Sequence, residues 1–221
     1  MESHPIAPER ARNARQHLRD ARLYLICDDQ PDEFLEAALR GGVDVVQLRL
    51  KDAGDHRIVA AGRRFARVCA GYGALFILND RPDLVAECPA DGVHVGQDDL
   101  PVAQARAIVG PTRLVGLSTH TEEQIERANQ DGPDYIGVGP VYETPTKAGR
   151  TAVGLELVRY AARNARVPFF AIGGIGTGNV DQVRRAGAPG IAVVRALTEA
   201  SDPERTARRL REVEDERVGA A

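Results

Sequence analysis

This 221-residue sequence predicts a (β/α)8 TIM barrel of parallel strands, preceded by a short N-terminal helical or disordered extension. Three observations predict it. Eight short apolar runs recur along the chain, and each ends in a small cluster of polar or glycine residues. Segments with apolar residues at helical spacing separate the runs, an alternation that calls for right-handed βαβ units and a parallel sheet. No G-x-G-x-x-G follows the first run, as an open doubly wound sheet for dinucleotides would carry, and near-equal units favour closure.

Residues 1–8 hold two Pro and read as a loose tail; residues 9–20 read equally as a short charged helix capping the barrel bottom or as disorder. The first strand is Leu23–Ile26, followed by a helix over Glu33–Leu39 that Pro31 introduces and Gly41-Gly42 ends. Val43–Val46 is the second strand, and Ile58, Val59, Phe65, Ala66 and Cys69 give the helix Asp55–Ala70 its apolar face. Leu75–Leu78 precedes a short helix at Pro82–Glu87, and Gly92–Val95 precedes the helix Val102–Val109, which Pro101 opens and Gly110-Pro111 terminates. Leu114–Leu117 leads to Glu122–Gln130, where Thr121 with Glu123 and Gln124 is a helix start. Tyr135–Val138, Phe169–Ile172 and Ile191–Val194 are the last strands, paired with helices over Gly154–Arg163, Gly178–Ala186 and Pro203–Val213. The expected domain organisation is an extension at 1–20, one catalytic barrel at 21–216 and a tail at 217–221.

Composition narrows the function classes. Hydrophobic residues make up 43%, aromatics only 5%, and Trp is absent, so the expected core is Val, Ile, Leu and Ala, as in strands buried on both faces. A net charge of −3 gives no basic footprint and argues against a nucleic-acid partner. The three Cys share no metal spacing, and Cys27 and Cys69 read as buried thiols in a reducing compartment. No run reaches the length of a membrane span and the N-terminus lacks an apolar signal core, so a soluble cytoplasmic protein is expected. The sequence leaves assembly open between a monomer and a homodimer.

Parallel barrel strands all end on one rim, which brings their trailing residues together. Asp80 and Asp99 each follow a strand and carry the hard oxygen that Mg²⁺ prefers, although an Asp there is also an ordinary helix N-cap. Arg49 and Lys51, at i and i+2, leave one face of a strand end with Gln47, a set suited to a diphosphate and equally to a solvated basic pair. Leu50 between them points the other way and packs. Thr144-Pro145-Thr146-Lys147 closes a loop begun by Gly139-Pro140 and offers two hydroxyls and a lysine to a phosphate, though such a tetrapeptide is also common loop material. Gly173-Gly174 and the Val194-Arg195 segment follow strands seven and eight, where backbone N–H groups form the recurrent phosphate cradle of these barrels. Ser118 has no triad partner and reads as a hydrogen-bond donor to an oxyanion. His120 reads as a packed side chain rather than an acid–base group, and His94 as structural, pointing to the strand interior or helix layer.

As a set, Gln47-Leu48-Arg49-Leu50-Lys51, Leu78-Asn79-Asp80, Asp91 through Asp99, Gly116 through Thr121, Gly139-Pro140 through Lys147, and Ala171 through Ile175 resemble the thiamine phosphate synthase family. The resemblance runs from about Arg22 to Arg209, in the family's order. It implies an enzyme that joins hydroxymethylpyrimidine diphosphate to thiazole phosphate, releasing diphosphate. It further implies that Gln47, Arg49, Lys51 and Asn79, with the backbone around Leu48 and Leu50, hold the pyrimidine diphosphate, and that Asp80 and Asp99 bind Mg²⁺. Ser118 and Lys147 would contact the diphosphate. Thr144, Pro145, Thr146, Gly174, Val194 and Arg195 would surround the thiazole phosphate. Two positions depart from the pattern: Leu50 stands where the family usually has Glu, and Arg195 where it often has Ser. A thiazole tautomerase, a related barrel with a histidine at the position of His120, is the alternative enzyme; a non-catalytic phosphate-binding barrel is the alternative binder. Neither needs two acidic metal ligands beside cationic side chains.

Overall fold

Each apolar run forms a strand. In the computed structural model, which describes residues 8–144 and 151–212, β1 (Leu23–Cys27), β2 (Val45–Leu48), β3 (Leu75–Asn79), β4 (Gly92–Val95), β5 (Leu114–Thr119), β6 (Tyr135–Val138), β7 (Phe169–Ile172) and β8 (Gly190–Val193) pair in order. All pairs are parallel, and Tyr24 opposite Ala192 closes β8 onto β1. Helices α1 (Pro8–Asp20), α2 (Asp32–Arg40), α3 (Asp55–Gly71), α4 (Val102–Val109), α5 (Glu122–Asp131), α6 (Gly154–Asn164), α7 (Val180–Arg185), α8 (Arg195–Thr198) and α9 (Pro203–Arg211) complete the described residues. The tail expected at 217–221, Val213 at the end of the expected last helix, and Pro145, Thr146 and Lys147 lie outside the described residues.

Alternation along each strand divides the core in two. Leu23, Leu25, Val46, Leu48, Val93, Val95, Val115 and Leu117 face outward into the layer between strands and helices. Tyr24, Ile26, Val45, Leu75, Ile77, Leu114, Tyr135 and Phe170 fill the barrel interior. The interior departs from the all-aliphatic expectation, because three of the few aromatic residues sit there. Phe170 meets Tyr24 edge-on (centroids 5.2 Å apart, 85°) and Tyr135 likewise (5.9 Å, 88°). Glycines on neighbouring strands make the room: a Cβ at Gly116 would lie 2.2 Å from the Tyr135 ring, and one at Gly190 would lie 2.7 Å from Phe170.

Three expected elements change bounds and one short helix is added. β2 starts at Val45 rather than Val43, because the Val43 N–H is taken by the Ala38 carbonyl at the end of α2 (3.2 Å). Gln47 and Leu48 thereby enter the strand. The expected helix at 82–87 is one 3-10 turn, Pro82–Leu84, since Pro89 follows too soon for further regular winding. α7 is shorter than Gly178–Ala186, and α8, a single turn, is too short to show a period. The extension does form a helix: Ala14 and Leu18 join the interior cluster at the barrel's lower end. Arg15 pairs with Asp134 (2.8 Å) and donates to the Pro111 carbonyl (2.9 Å). No helix among the described residues is long and apolar enough to cross a membrane.

Candidate active site

At the carboxyl ends of the strands the interior opens into a cavity of about 380 Å³, within the range of small-ligand sites. Ile26, Ile172 and Ala192 give it an apolar wall; Gln47, Arg49, Asn79, His94, Ser118 and His120 supply the polar groups. These positions share strand parity, so one side of the barrel wall delivers them all.

Beneath them lies a buried hydrogen-bonded chain. Gln47 Nε2 donates to Tyr24 Oη (2.7 Å), the Tyr24 and Tyr135 hydroxyls meet at 2.9 Å, and His94 bridges Tyr135 Oη (3.2 Å from Nδ1) and Ser118 Oγ (2.9 Å from Nε2). Burial pushes both tyrosine hydroxyls well above their usual range, so they stay protonated. His94 therefore faces the cavity floor, not the helix layer. Its place was readable in principle: Val93 and Val95 point outward, so parity turns His94 inward. Tyr24 and Tyr135 were missed altogether, and the same parity marks them. His120 is packed, as expected, with its Nδ1–H donating to the Gly139 carbonyl, while Gln124 Oε1 accepts from the His120 backbone (2.7 Å) and Thr121 caps α5.

Asp80 and Asp99 come together beside Asn79. Asp80 leaves β3 in the left-handed region (φ 57°), and its carboxyl lies in hydrogen-bonding contact with that of Asp99. Burial raises the Asp80 carboxyl above its usual range, the Asp99 charge adds to the rise, and Asn79 and the Lys51 ammonium oppose it. Asp99 also accepts from the Gly96 amide (2.7 Å). Two adjacent carboxyls, that of Asp80 partly desolvated and that of Asp99 exposed, are a donor set a hard divalent cation would relieve. Among the described residues no group of three or more His, Cys, Asp or Glu converges, so the protein offers part of a shell. Magnesium suits such a site, completing its shell with water and phosphate oxygens.

The rim beyond β6 to β8 is set by close backbone approach. Gly139-Pro140 is a cis bond, and Tyr142 N donates to Gly173 O (3.0 Å). Gly174 has φ 63°, and a Cβ there would stand 2.7 Å from Tyr142 Cβ and 2.9 Å from the Glu143 carbonyl. Its missing side chain thus seats the β6 loop as well as clearing the cavity. Asn179 pins the turn, accepting from Gly176 N and donating to Gly174 O (both 2.9 Å). Thr144, Val194 and Arg195 line the same cavity, and the Arg195 guanidinium reaches Glu199 at 4.0 Å.

Around Arg49 one expected contact changes character, that of Lys51. The Leu48 side chain is fully buried in the outer layer and Leu50 packs against that layer, so neither side chain reaches the cavity; only their backbone is available. β2 ends at Leu48, and Lys51 sits in a turn, exposed and near Asp80 rather than in the cavity wall beside Arg49.

The thiamine monophosphate synthase family profile matches residues 23–197. A thiamine-phosphate synthase of Thermus thermophilus is 53% identical over 199 residues, covering 86% of this chain and 96% of the relative. Another, from Thermosynechococcus vestitus, is 48% identical over 197 residues, covering 88% of this chain but 56% of the relative, so the chain spans about half the length of some relatives it matches. Among solved structures, thiamine phosphate pyrophosphorylase from Pyrococcus furiosus superposes with a TM-score of 0.81 at 32% identity, over 88% of this chain and 95% of that one. The match of family profile, sequence and structure over the whole barrel assigns this chain to the thiamine monophosphate synthase family.

Proposed function

We propose that the chain is a thiamine phosphate synthase, condensing hydroxymethylpyrimidine diphosphate with thiazole phosphate. The observation that carries this reading is the contact between the Asp80 and Asp99 carboxyls, beside Lys51 and next to a cavity holding Arg49. In the reaction the C–O bond to diphosphate breaks and its electron pair leaves with the diphosphate. The resulting pyrimidine-stabilised carbocation is captured by the thiazole nitrogen lone pair, forming the new C–N bond.

The residues serve that step by charge and position. Arg49 and Lys51 neutralise the leaving diphosphate, and the Ser118 hydroxyl donates to it. Gln47 and Asn79 fix the pyrimidine, with the backbone of Leu48 and Leu50 supporting them. Thr144 and the amides of Gly174, Val194 and Arg195 take the thiazole phosphate, holding the nucleophile in line. On the family resemblance, Pro145 and Thr146 would meet the thiazole phosphate and Lys147 the diphosphate. Bound at Asp80 and Asp99, Mg²⁺ would supply charge to the departing oxygens.

Incubating both substrates with Mg²⁺, with and without chelator, tests this: thiamine phosphate and diphosphate should appear in equal amounts, and only with the metal. Metal-independent isomerisation of the thiazole phosphate, or binding without turnover, would instead point to the tautomerase or the non-catalytic barrel. The relatives named above carry the synthase or the pyrophosphorylase name, which favours neither alternative.

A further inference from the structure

The chain from Gln47 to Ser118 has a direction, set by the Gln47 amide nitrogen facing Tyr24 and carried from there by counting protons. Gln47 Nε2 is a donor, so Tyr24 Oη accepts from it. The Tyr24 proton then has one partner, the Tyr135 oxygen, which must accept. Tyr135 is fully buried, and its own proton can go only to His94 Nδ1. That nitrogen must therefore carry a lone pair, which places the imidazole proton on Nε2, facing Ser118 Oγ. Ser118 accepts it, and its hydroxyl proton is left to turn into the cavity it lines. An imidazolium would make Tyr135 accept from both sides and strand its proton in the core, a costly arrangement.

We infer that His94 is a positioning residue, held by Tyr24 and Tyr135 as the neutral Nε2–H tautomer so that Ser118 is fixed as a hydrogen-bond donor to a phosphate oxygen in the cavity. Serine alone can donate or accept; with one lone pair taken by a fixed N–H, its own hydroxyl proton is the group turned toward the cavity. The opposite end of the chain is polarised too. With one N–H given to Tyr24, Gln47 keeps its second N–H and its amide oxygen, the oxygen being an acceptor for an N–H-bearing group such as a ring amine. The floor thus presents an acceptor at β2 and a donor at β5, both set by buried hydroxyls that no solvent exchange disturbs. A glycine is part of the device: Gly116 gives the Tyr135 ring its seat.

The diphosphate contact rests on the function proposed above; the tautomer does not. Nitrogen-15 NMR of the histidine-labelled, ligand-free full chain, with the His94 signal assigned by its loss in His94→Gln, should show Nε2 protonated and Nδ1 bare. Calorimetry with Mg²⁺ and inorganic diphosphate supplies the second readout. Ser118→Ala and His94→Phe should each weaken binding about tenfold, and the double variant no further than either, because both remove one donor. His94→Gln, which keeps an N–H near the Nε2 position, should restore most of the affinity. An Nδ1–H or imidazolium spectrum, or additive losses in the double variant, would overturn the inference. If the unaltered chain shows the Nε2–H tautomer yet makes no thiamine phosphate, the proposed reaction fails and the relay stands. If it turns over with His94 as Nδ1–H, the relay fails and the reaction stands.

Discussion

Asp80 combines three features that a folded chain avoids without cause: a left-handed backbone in a non-glycine residue, partial burial of a carboxyl, and a second carboxyl in contact with it. Such a site costs stability, so function and stability should separate there. Asp80→Asn removes the repulsion, and the metal-free variant should melt at a higher temperature than the unaltered protein. On the proposed reaction, diphosphate release should fall by about 10²–10³-fold, because the counter-ion of the leaving group would lose a ligand. Calorimetric Tm and diphosphate release, each measured with and without Mg²⁺, check both halves; a variant that turns over normally would remove Asp80 from the site. The two carboxyls were legible as sequence because each closes an apolar run. His94, Tyr24 and Tyr135 were not, because a polar residue inside a strand announces itself only once the neighbours' direction is known. Val93 and Val95 hold that information for His94, yet only a closed barrel makes inward the direction of the site.

Elements were legible where period and punctuation agreed. Thr121 and Gln124 mark the start of α5, and the Thr121 hydroxyl accepts from Gln124 N (3.2 Å) as the spacing implies. Single turns carry no period, so α8, part of the cavity rim, escaped, and the helix expected at Pro82–Glu87 was drawn longer than its one 3-10 turn. Glycine was legible as punctuation but not in its purpose. Gly174 read as part of a backbone phosphate cradle, whereas its missing Cβ also makes space for Tyr142 and Glu143. Gly174→Ala should therefore act through the rim: positive φ and the crowding at 2.7 Å push the β6 loop away. The KM for thiazole phosphate should rise about tenfold, roughly 1.4 kcal/mol, with little change for the pyrimidine diphosphate. Equal effects on both substrates would mean that Gly174 does not serve one phosphate. At the other end of the barrel, α1 inserts Leu18, 1% exposed, beneath the interior aromatics. Leu18→Ala should cost about 2–4 kcal/mol in urea unfolding and leave KM values unchanged, since the plug and the cavity occupy opposite ends.

At the scale of the molecule, closing the sheet on itself buries titratable groups that most proteins leave near water. Burial lifts the Cys69 thiol to about 12 and Cys88 to about 11, and holds Cys27, Tyr24 and Tyr135 above their ordinary values. In each case the neutral, protonated form is the one the fold accommodates. An unfolded chain releases these protons near pH 8.5 for the thiols and 10 for the tyrosines, about the free values. Between those values and the raised ones the folded state binds more protons, so the stability these groups contribute is complete below about pH 8.5 and drains away as pH climbs. The urea midpoint should stay level from about pH 7 to 8 and then fall with increasing slope once the tyrosines join the thiols, above about pH 10. The same burial predicts that a disulfide reagent at neutral pH reacts with none of the three thiols until the barrel opens, because the thiolate is both scarce and enclosed. Following thiol labelling and tyrosinate absorbance together across the pH series tests the argument. If either group titrates at its free value while the fold persists, the interior is wetter than this packing allows, and the protons in the Tyr24–Tyr135–His94 chain would no longer be held in place.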